Sequence, residues 1–109
     1  QRTMELIYVS QCVILCDMEI ELSELQWDEF NLEHIAKHDV SVSEAEETCS
    51  NIIYVDETYG GRYLLVGKTK QERMVSIVLV NVGKLKYYVV TARDSSRGER
   101  KKANDQENK

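Results

Sequence analysis

Met74-Val75-Ser76-Ile77-Val78-Leu79-Val80-Asn81-Val82 is the stretch from which the fold is read. Nine residues dominated by Val, Ile and Leu are too β-branched and too short for a typical core helix, so they read as one long strand. Turn signals bound it on both sides, residues 70–73 before it and Gly83-Lys84 after it. Residues 85–93 repeat the apolar pattern and form the next strand. Upstream, residues 62–68 form a strand that pairs back through residues 70–73, and residues 52–55 begin another. Residues 56–61 close the hairpin between those two, with Gly60-Gly61 supplying a permissive backbone. Four strands joined by short turns predict an antiparallel meander.

Outward from the meander the periodicity changes. Residues 22–27 form a short strand running into Asp28, a good N-cap for a helix over residues 29–38. In that segment Trp27, Phe30, Asn31, His34, Ile35 and His38 recur at three- and four-residue steps and share a face. After a turn at residues 39–42, Ser43-Glu44-Ala45-Glu46 has the capping-box pattern and opens a second helix through about Cys49. Downstream, Ser96-Arg97-Gly98-Glu99 repeats that pattern and starts a terminal helix, which frays into the polar tail 104–109. The order β-α-α-β-β-β-β-α predicts an α+β domain over residues 18–103. Its small antiparallel sheet is a four-stranded meander plus an N-terminal strand, with two helices packed on it and a C-terminal helix.

Residues 1–17 differ in character. The segment 4–16 is apolar, too short to span a bilayer, and lacks the basic start and small-residue cleavage site of a signal peptide. It reads either as an added strand or as a non-native extension ahead of a start at Met18. No membrane partner is expected. Cys12, Cys16 and Cys49 are odd in number and lack metal-ligand spacing, which fits buried thiols in a reducing cytosol.

The net charge of −5 conceals a segregation. Residues 1–61 carry two basic side chains against fourteen acidic ones, a balance of −12; residues 62–102 carry eleven basic against three acidic, a balance of +8. Such asymmetry points to a polyanion or a charged partner. The basic half ends in Thr91-Ala92-Arg93-Asp94-Ser95-Ser96-Arg97-Gly98-Glu99-Arg100-Lys101-Lys102, a strand-to-helix junction. Helix-terminal amides and guanidinium forks both bind phosphate, although such a charge run is also what a solvated helix end looks like.

There is no phosphate-binding glycine loop, no Cys-x-x-Cys pair and no serine or cysteine elbow. His34 and His38 stand four residues apart, but no glutamate follows His34 and no third ligand is evident, so no metal and no cofactor are expected. Lys37, His38, Arg62, Arg93, Glu99 and Arg100 remain, and would cluster if the helix ends lay across the last strands. Such a cluster suits RNA cleavage, because the 2′-hydroxyl nucleophile is already tethered to the scissile phosphate. His38 is the best acid or base, since an imidazole ordinarily titrates at about 6.5. Arg62 and Arg93 would hold the phosphorane. Arg100 and Lys101 would bind backbone phosphates, with Lys102 adding to a general electrostatic surface. Tyr54, Tyr59, Tyr63, Tyr87 and Tyr88 could stack bases, though strand tyrosines commonly serve as sheet packing. Tyr87 and Tyr88 are consecutive, so at most one of them lines a site.

Leu25-Gln26-Trp27-Asp28-Glu29-Phe30-Asn31-Leu32-Glu33-His34-Ile35-Ala36-Lys37-His38-Asp39-Val40, followed by Ser43-Glu44-Ala45-Glu46-Glu47, resembles the opening of BrnT-type toxins. Gly61-Arg62-Tyr63-Leu64-Leu65-Val66-Gly67-Lys68-Thr69 resembles their central strand. Val89-Val90-Thr91-Ala92-Arg93-Asp94 with Glu99-Arg100 resembles their closing segment. The resemblance implies a RelE-like ribonuclease fold and a cytoplasmic bacterial toxin of a type II toxin–antitoxin pair. It implies a hydrolase that cleaves RNA endonucleolytically without metal and arrests translation. The partners it implies are RNA and a small BrnA-like antitoxin, with DNA reached only through the antitoxin. The family's basic positions fall on Lys37, His38, Arg62, Arg93 and Arg100, with Glu99 beside them. Two positions depart from the pattern: Tyr88 stands where members often carry arginine, and Ala103 where they often carry tyrosine. Those departures open an alternative to the active enzyme: a catalytically weakened member that keeps the fold as a protein-interaction or RNA-binding module.

Overall fold

The computed structural model describes residues 5–15, 18–83 and 86–108, with side chains from Leu25 onward except that of Tyr59. The chain forms β1 (Glu5–Leu15), β2 (Met18–Trp27), α1 (Glu29–Lys37), α2 (Val42–Cys49), β3 (Ile52–Glu57), β4 (Arg62–Lys68), β5 (Met74–Gly83), β6 (Lys86–Asp94) and α3 (Arg97–Glu107). The strands make one six-stranded sheet in the order β1-β2-β6-β5-β4-β3. The four-strand meander, the helix pair and the C-terminal helix follow the expected plan. Residues 5–15, the described part of segment 4–16, form β1 in an antiparallel hairpin with β2. The sheet is mixed rather than wholly antiparallel, because β2 runs parallel to β6 through Glu24, Leu25 and Gln26. The crossover made by the helices and meander returns the chain beside β2 in the same direction, a pairing that strand patterns cannot reveal. Residues 1–4, 16–17, 84–85 and 109, which belong to the expected segments, lie outside the described residues.

Local chemistry sets the helix ends. Asp28 N-caps α1 by accepting from the amides of Phe30 and Asn31, and Asn31 accepts from the Asp28 amide in return. The α2 cap differs from expectation. Ser41, not Ser43, is the N-cap, and its box partner is Glu44. Each serine has a glutamate three residues on, so the local pattern fits both, and the chain leaves the extended conformation after Ser41. Ser96 caps α3 with Glu99 as its box partner, as the pattern predicts. Gly60 and Gly61, in a short 3-10 turn between β3 and β4, adopt φ of 77° and 72°, the left-handed region that glycine enters without steric cost.

Two apolar layers divide the sheet. On one face α1 and α2 cover Leu25, Trp27, Leu65, Ile77, Leu79 and Val89, to which they contribute Ile35, Ala45 and Cys49. Each large side chain so buried contributes about 1.5–3 kcal/mol relative to exposure. The α1 face is narrower than its periodicity implies. Asn31 and Ile35 are buried, while His34 and His38 are exposed and Phe30 is 74% exposed. Asn31 is the anchor, its amide donating to the carbonyls of Gln26 on β2 and Val89 on β6. On the opposite face α3 packs against β3 and β4, with Ala103 fully buried beside Tyr54 and Val66.

Candidate nucleic-acid interface

Sheet register decides which basic residues meet. Tyr54, Val66, Ser76 and Arg93 pair in one row across β3, β4, β5 and β6. Arg62, Val80, Tyr88 and Gln26 make another across β4, β5, β6 and β2. Side chains two positions apart on a strand share a face, so both rows lie on the α3 side of the sheet. Because α3 covers β3 and β4, the β5–β6 part of this face keeps Val78, Val80, Tyr88, Val90, Thr91 and Arg93 only partly buried. The Cα atoms of Arg62 and Arg93 are separated by two strands and four residues along them, about 16 Å, so the two guanidiniums flank the open face.

Arg93 is held rather than loose. Its Nη1 donates to Glu99 Oε1 at 2.8 Å and its Nη2 to Glu99 Oε2 at 3.0 Å, while Nη1 also donates to the Asp94 carbonyl at 3.1 Å. Glu99 Oε1 further accepts from Ser76 Oγ and the Ser96 amide, both at 2.8 Å. Ser76 in turn shares a 2.7 Å hydrogen bond with Ser95, and both serines are buried. The Arg93 guanidinium, opposed by partial burial, holds the Glu99 carboxyl down at about 2, helped by Ser96 and Ser76. A carboxylate so stabilised is a poor proton acceptor at neutral pH, so its geometry suits orienting Arg93.

The remaining candidates are distributed. Lys37 ends α1 and His38 is its C-cap, on the helix-covered side of the sheet and away from Arg62 and Arg93. Among the described residues no hydrogen bond or ion pair joins Lys37 or His38 to Arg62, Arg93, Glu99 or Arg100. The link that exists runs through Arg73. Its guanidinium donates to the His38 and Asp39 carbonyls, to Glu44 at 2.9 Å and to Asp94 at 2.7 Å. The His34 and His38 rings lie 5.3 Å apart, and among the described residues no group of three metal-ligating side chains occurs. Arg100 donates to the Ser95 carbonyl at 2.6 Å, and Lys101 reaches Asp105 on the exposed side of α3. Lys102 is committed to packing, bonded to Asp56 and seated 4.7 Å over the Tyr54 ring.

The tyrosines separate as their positions imply. Tyr87 is buried in the helix-covered core, where it meets Tyr63 edge-on, while Tyr88 is on the opposite face. Tyr54 is buried under α3, and its phenol is pushed up to about 12, first by burial and then by the charge of Glu99. Ala103 packs against Tyr54 and Val66, so the ring at this place comes from β3 rather than from the helix. Sequence reasoning passed over Lys86, which stands two residues before Tyr88 on β6 and therefore on the same face. The alternation of Lys86 and Tyr88 was the available signal. The Cys49 thiol is buried and pushed up to about 12 by that burial, which makes it inert; Cys12 and Cys16 have no described side chains.

No helix among the described residues is long and apolar enough to cross a membrane. No family model, no curated protein and no solved structure matches the chain.

Proposed function

We propose that this chain is a toxin-type endoribonuclease that takes RNA on the open face of the sheet, like the BrnT-type toxins it resembles. The observation that carries the reading is the shared, uncovered face bearing Arg62, Lys86, Tyr88 and Arg93 beside the basic helix α3. Cations at both ends of a strip with a half-buried tyrosine between them suit a single strand, whose phosphates pair with charge and whose bases stack. In the reaction the 2′-hydroxyl gives its proton to solvent and attacks its own phosphate, the phosphorane charge falls on Arg93 and Arg62, and the P–O5′ bond breaks as the 5′-oxygen takes a proton from solvent. The products are a 2′,3′-cyclic phosphate and a 5′-hydroxyl. In this reading the protein works in the cytoplasm and inhibits translation. A BrnA-like antitoxin neutralises it, and DNA is reached only through that antitoxin.

One observation favours a second reading, a weakened member that binds RNA or protein without cleaving. His38 and Lys37, the groups best suited to move protons, lie on the helix-covered side, so the open face carries no imidazole among the described residues. Incubating the protein with 5′-labelled single-stranded RNA separates the two. Cleavage to cyclic-phosphate ends that is lost in Arg93→Ala and Arg62→Ala supports the enzyme. RNA half-lives equal to buffer, with retained binding, support the weakened module, and absence of both overturns the RNA reading.

A further inference from the structure

Arg93 has five N–H groups, and the structure accounts for three. Nη1 spends its two hydrogens on Glu99 Oε1 and the Asp94 carbonyl, and Nη2 spends one on Glu99 Oε2. In the planar guanidinium the pair that grips Glu99 is the end fork between Nη1 and Nη2. The two remaining hydrogens, on Nε and on the far side of Nη2, point in parallel along the other edge and have no partner among the described residues. Arg93 is 36% exposed while Glu99 is 15% exposed, so the carboxylate lies on the buried side of the pair. Ser76, Ser95 and the Ser96 amide fix the carboxylate from behind.

We propose that Glu99 is a positioning residue that aims the Nε–Nη2 edge of Arg93 at a phosphodiester group of RNA on the open sheet face. This rests on the RNA reading above and assigns one phosphate contact within it. Two parallel N–H donors match two non-bridging phosphate oxygens, and a guanidinium whose other fork is fixed does not have to be ordered when the phosphate arrives. The carboxylate does not compete for this edge, because it occupies the other one.

The test follows binding of a short single-stranded RNA oligonucleotide across a salt series. Glu99→Gln is expected to weaken binding about tenfold and to flatten the log–log salt slope by about 0.7, the signature of one lost phosphate contact, while Arg93→Lys, which keeps the charge but loses the fork, is expected to weaken binding similarly with a smaller change of slope. A merely structural loosening leaves that slope unchanged. The double variant is expected to bind no worse than Arg93→Lys alone, since both changes remove the same contact. Tighter binding by Glu99→Gln, or full additivity in the double variant, overturns the proposal. Should Glu99→Gln fail to fold, the Arg93 Nε–H resonance of the unmodified protein, identified by its loss in Arg93→Lys, provides the second measurement. It is expected to shift on titration with the oligonucleotide, and a static resonance overturns the proposal. Weakening in Arg62→Ala without effect in Arg93→Lys sinks this inference but spares the face, whereas no effect in either sinks the RNA reading itself.

Discussion

The Tyr88 hydroxyl lies 3.0 and 3.1 Å from the two carboxylate oxygens of Asp28, the residue that N-caps α1. A strand residue on the open face thus reaches the first turn of a helix packed on the covered face. Burial, then the Asp28 hydrogen bond, raises the Tyr88 phenol above its usual value. Tyr88→Phe removes a hydrogen bond to an ionised acceptor and is expected to cost about 1–2 kcal/mol in urea unfolding. Tyr88→Arg is expected to keep most of that stability through an ion pair to Asp28. With the stacking ring gone and the new guanidinium paired to Asp28, RNA binding on the proposed face should weaken roughly tenfold.

Arg73 joins three parts of the fold with one side chain: the α1–α2 turn at His38 and Asp39, Glu44 on α2, and Asp94 at the end of β6. Truncation leaves two carboxylates without their partner and the turn without its clamp. Arg73→Ala is expected to lower stability by about 2–3 kcal/mol, discounted for the exposure of Asp94. Arg73→Lys should recover only part of this, because one ammonium cannot reproduce the fork. Thermal melts of both variants check the order.

Glu99 gives the protein a specific acid sensitivity. Its carboxyl lies at about 2 in the fold against a usual 4.5, chiefly through Arg93. A depressed folded value means that the unfolded chain binds the extra proton. The stabilisation is therefore complete above pH 4.5 and lost as the pH falls toward 2, a contribution of about 2 kcal/mol after solvent screening at the Arg93 edge. Glu44, held low first by the Ser41 amide and then by Arg73, and Asp94, held low chiefly by Arg73, act in the same direction. Glu99→Gln should flatten the stability profile between those limits while leaving the Asp94 and Glu44 part intact, as urea midpoints measured from pH 2 to 7 would show.

Gly67 marks where the C-terminal end of α2 presses on β4. A Cβ at this position would lie 2.5 Å from the Asn51 carbonyl oxygen and 2.7 Å from that of Thr48, both backbone atoms that cannot rotate away. Gly67→Ala is expected to destabilise by about 3 kcal/mol through displacement of the helix end. Gly98→Ala, where nothing lies within 4 Å of the added atom, is the matched control and should be neutral or slightly stabilising.

Much of the plan was written locally. Asp28, Ser96 with Glu99, and Gly60-Gly61 act over a few residues, so their roles could be read from neighbours alone. The same holds for the alternation that sends Tyr87 inward and Tyr88 to the other face. Phe30 shares the helical period of Asn31 and Ile35 yet stays exposed, because period alone does not say how wide the contact stripe is. The Ser-x-x-Glu pattern before α2 fits both Ser41 and Ser43, and the fold caps the helix with Ser41. The clamp made by Arg73 has no local signature, since its partners stand 21 to 35 residues away.

By itself, then, the sequence determined the α+β class, the meander, the caps of α1 and α3 and the segregation of acidic and basic halves. These follow from side-chain period, backbone preference and charge, all of which act between near neighbours. Tertiary structure alone decided that β2 lies parallel to β6, that Arg62, Lys86, Tyr88 and Arg93 share one open face, and that Lys37 and His38 lie on the other side of the sheet. Strand order and register are contacts between distant segments, selected by how the whole apolar surface is buried. The Arg93–Glu99 pair lies between these cases. Its residues are six apart and its capping role was legible, but only the placement of α3 against the sheet brings the carboxylate onto the guanidinium.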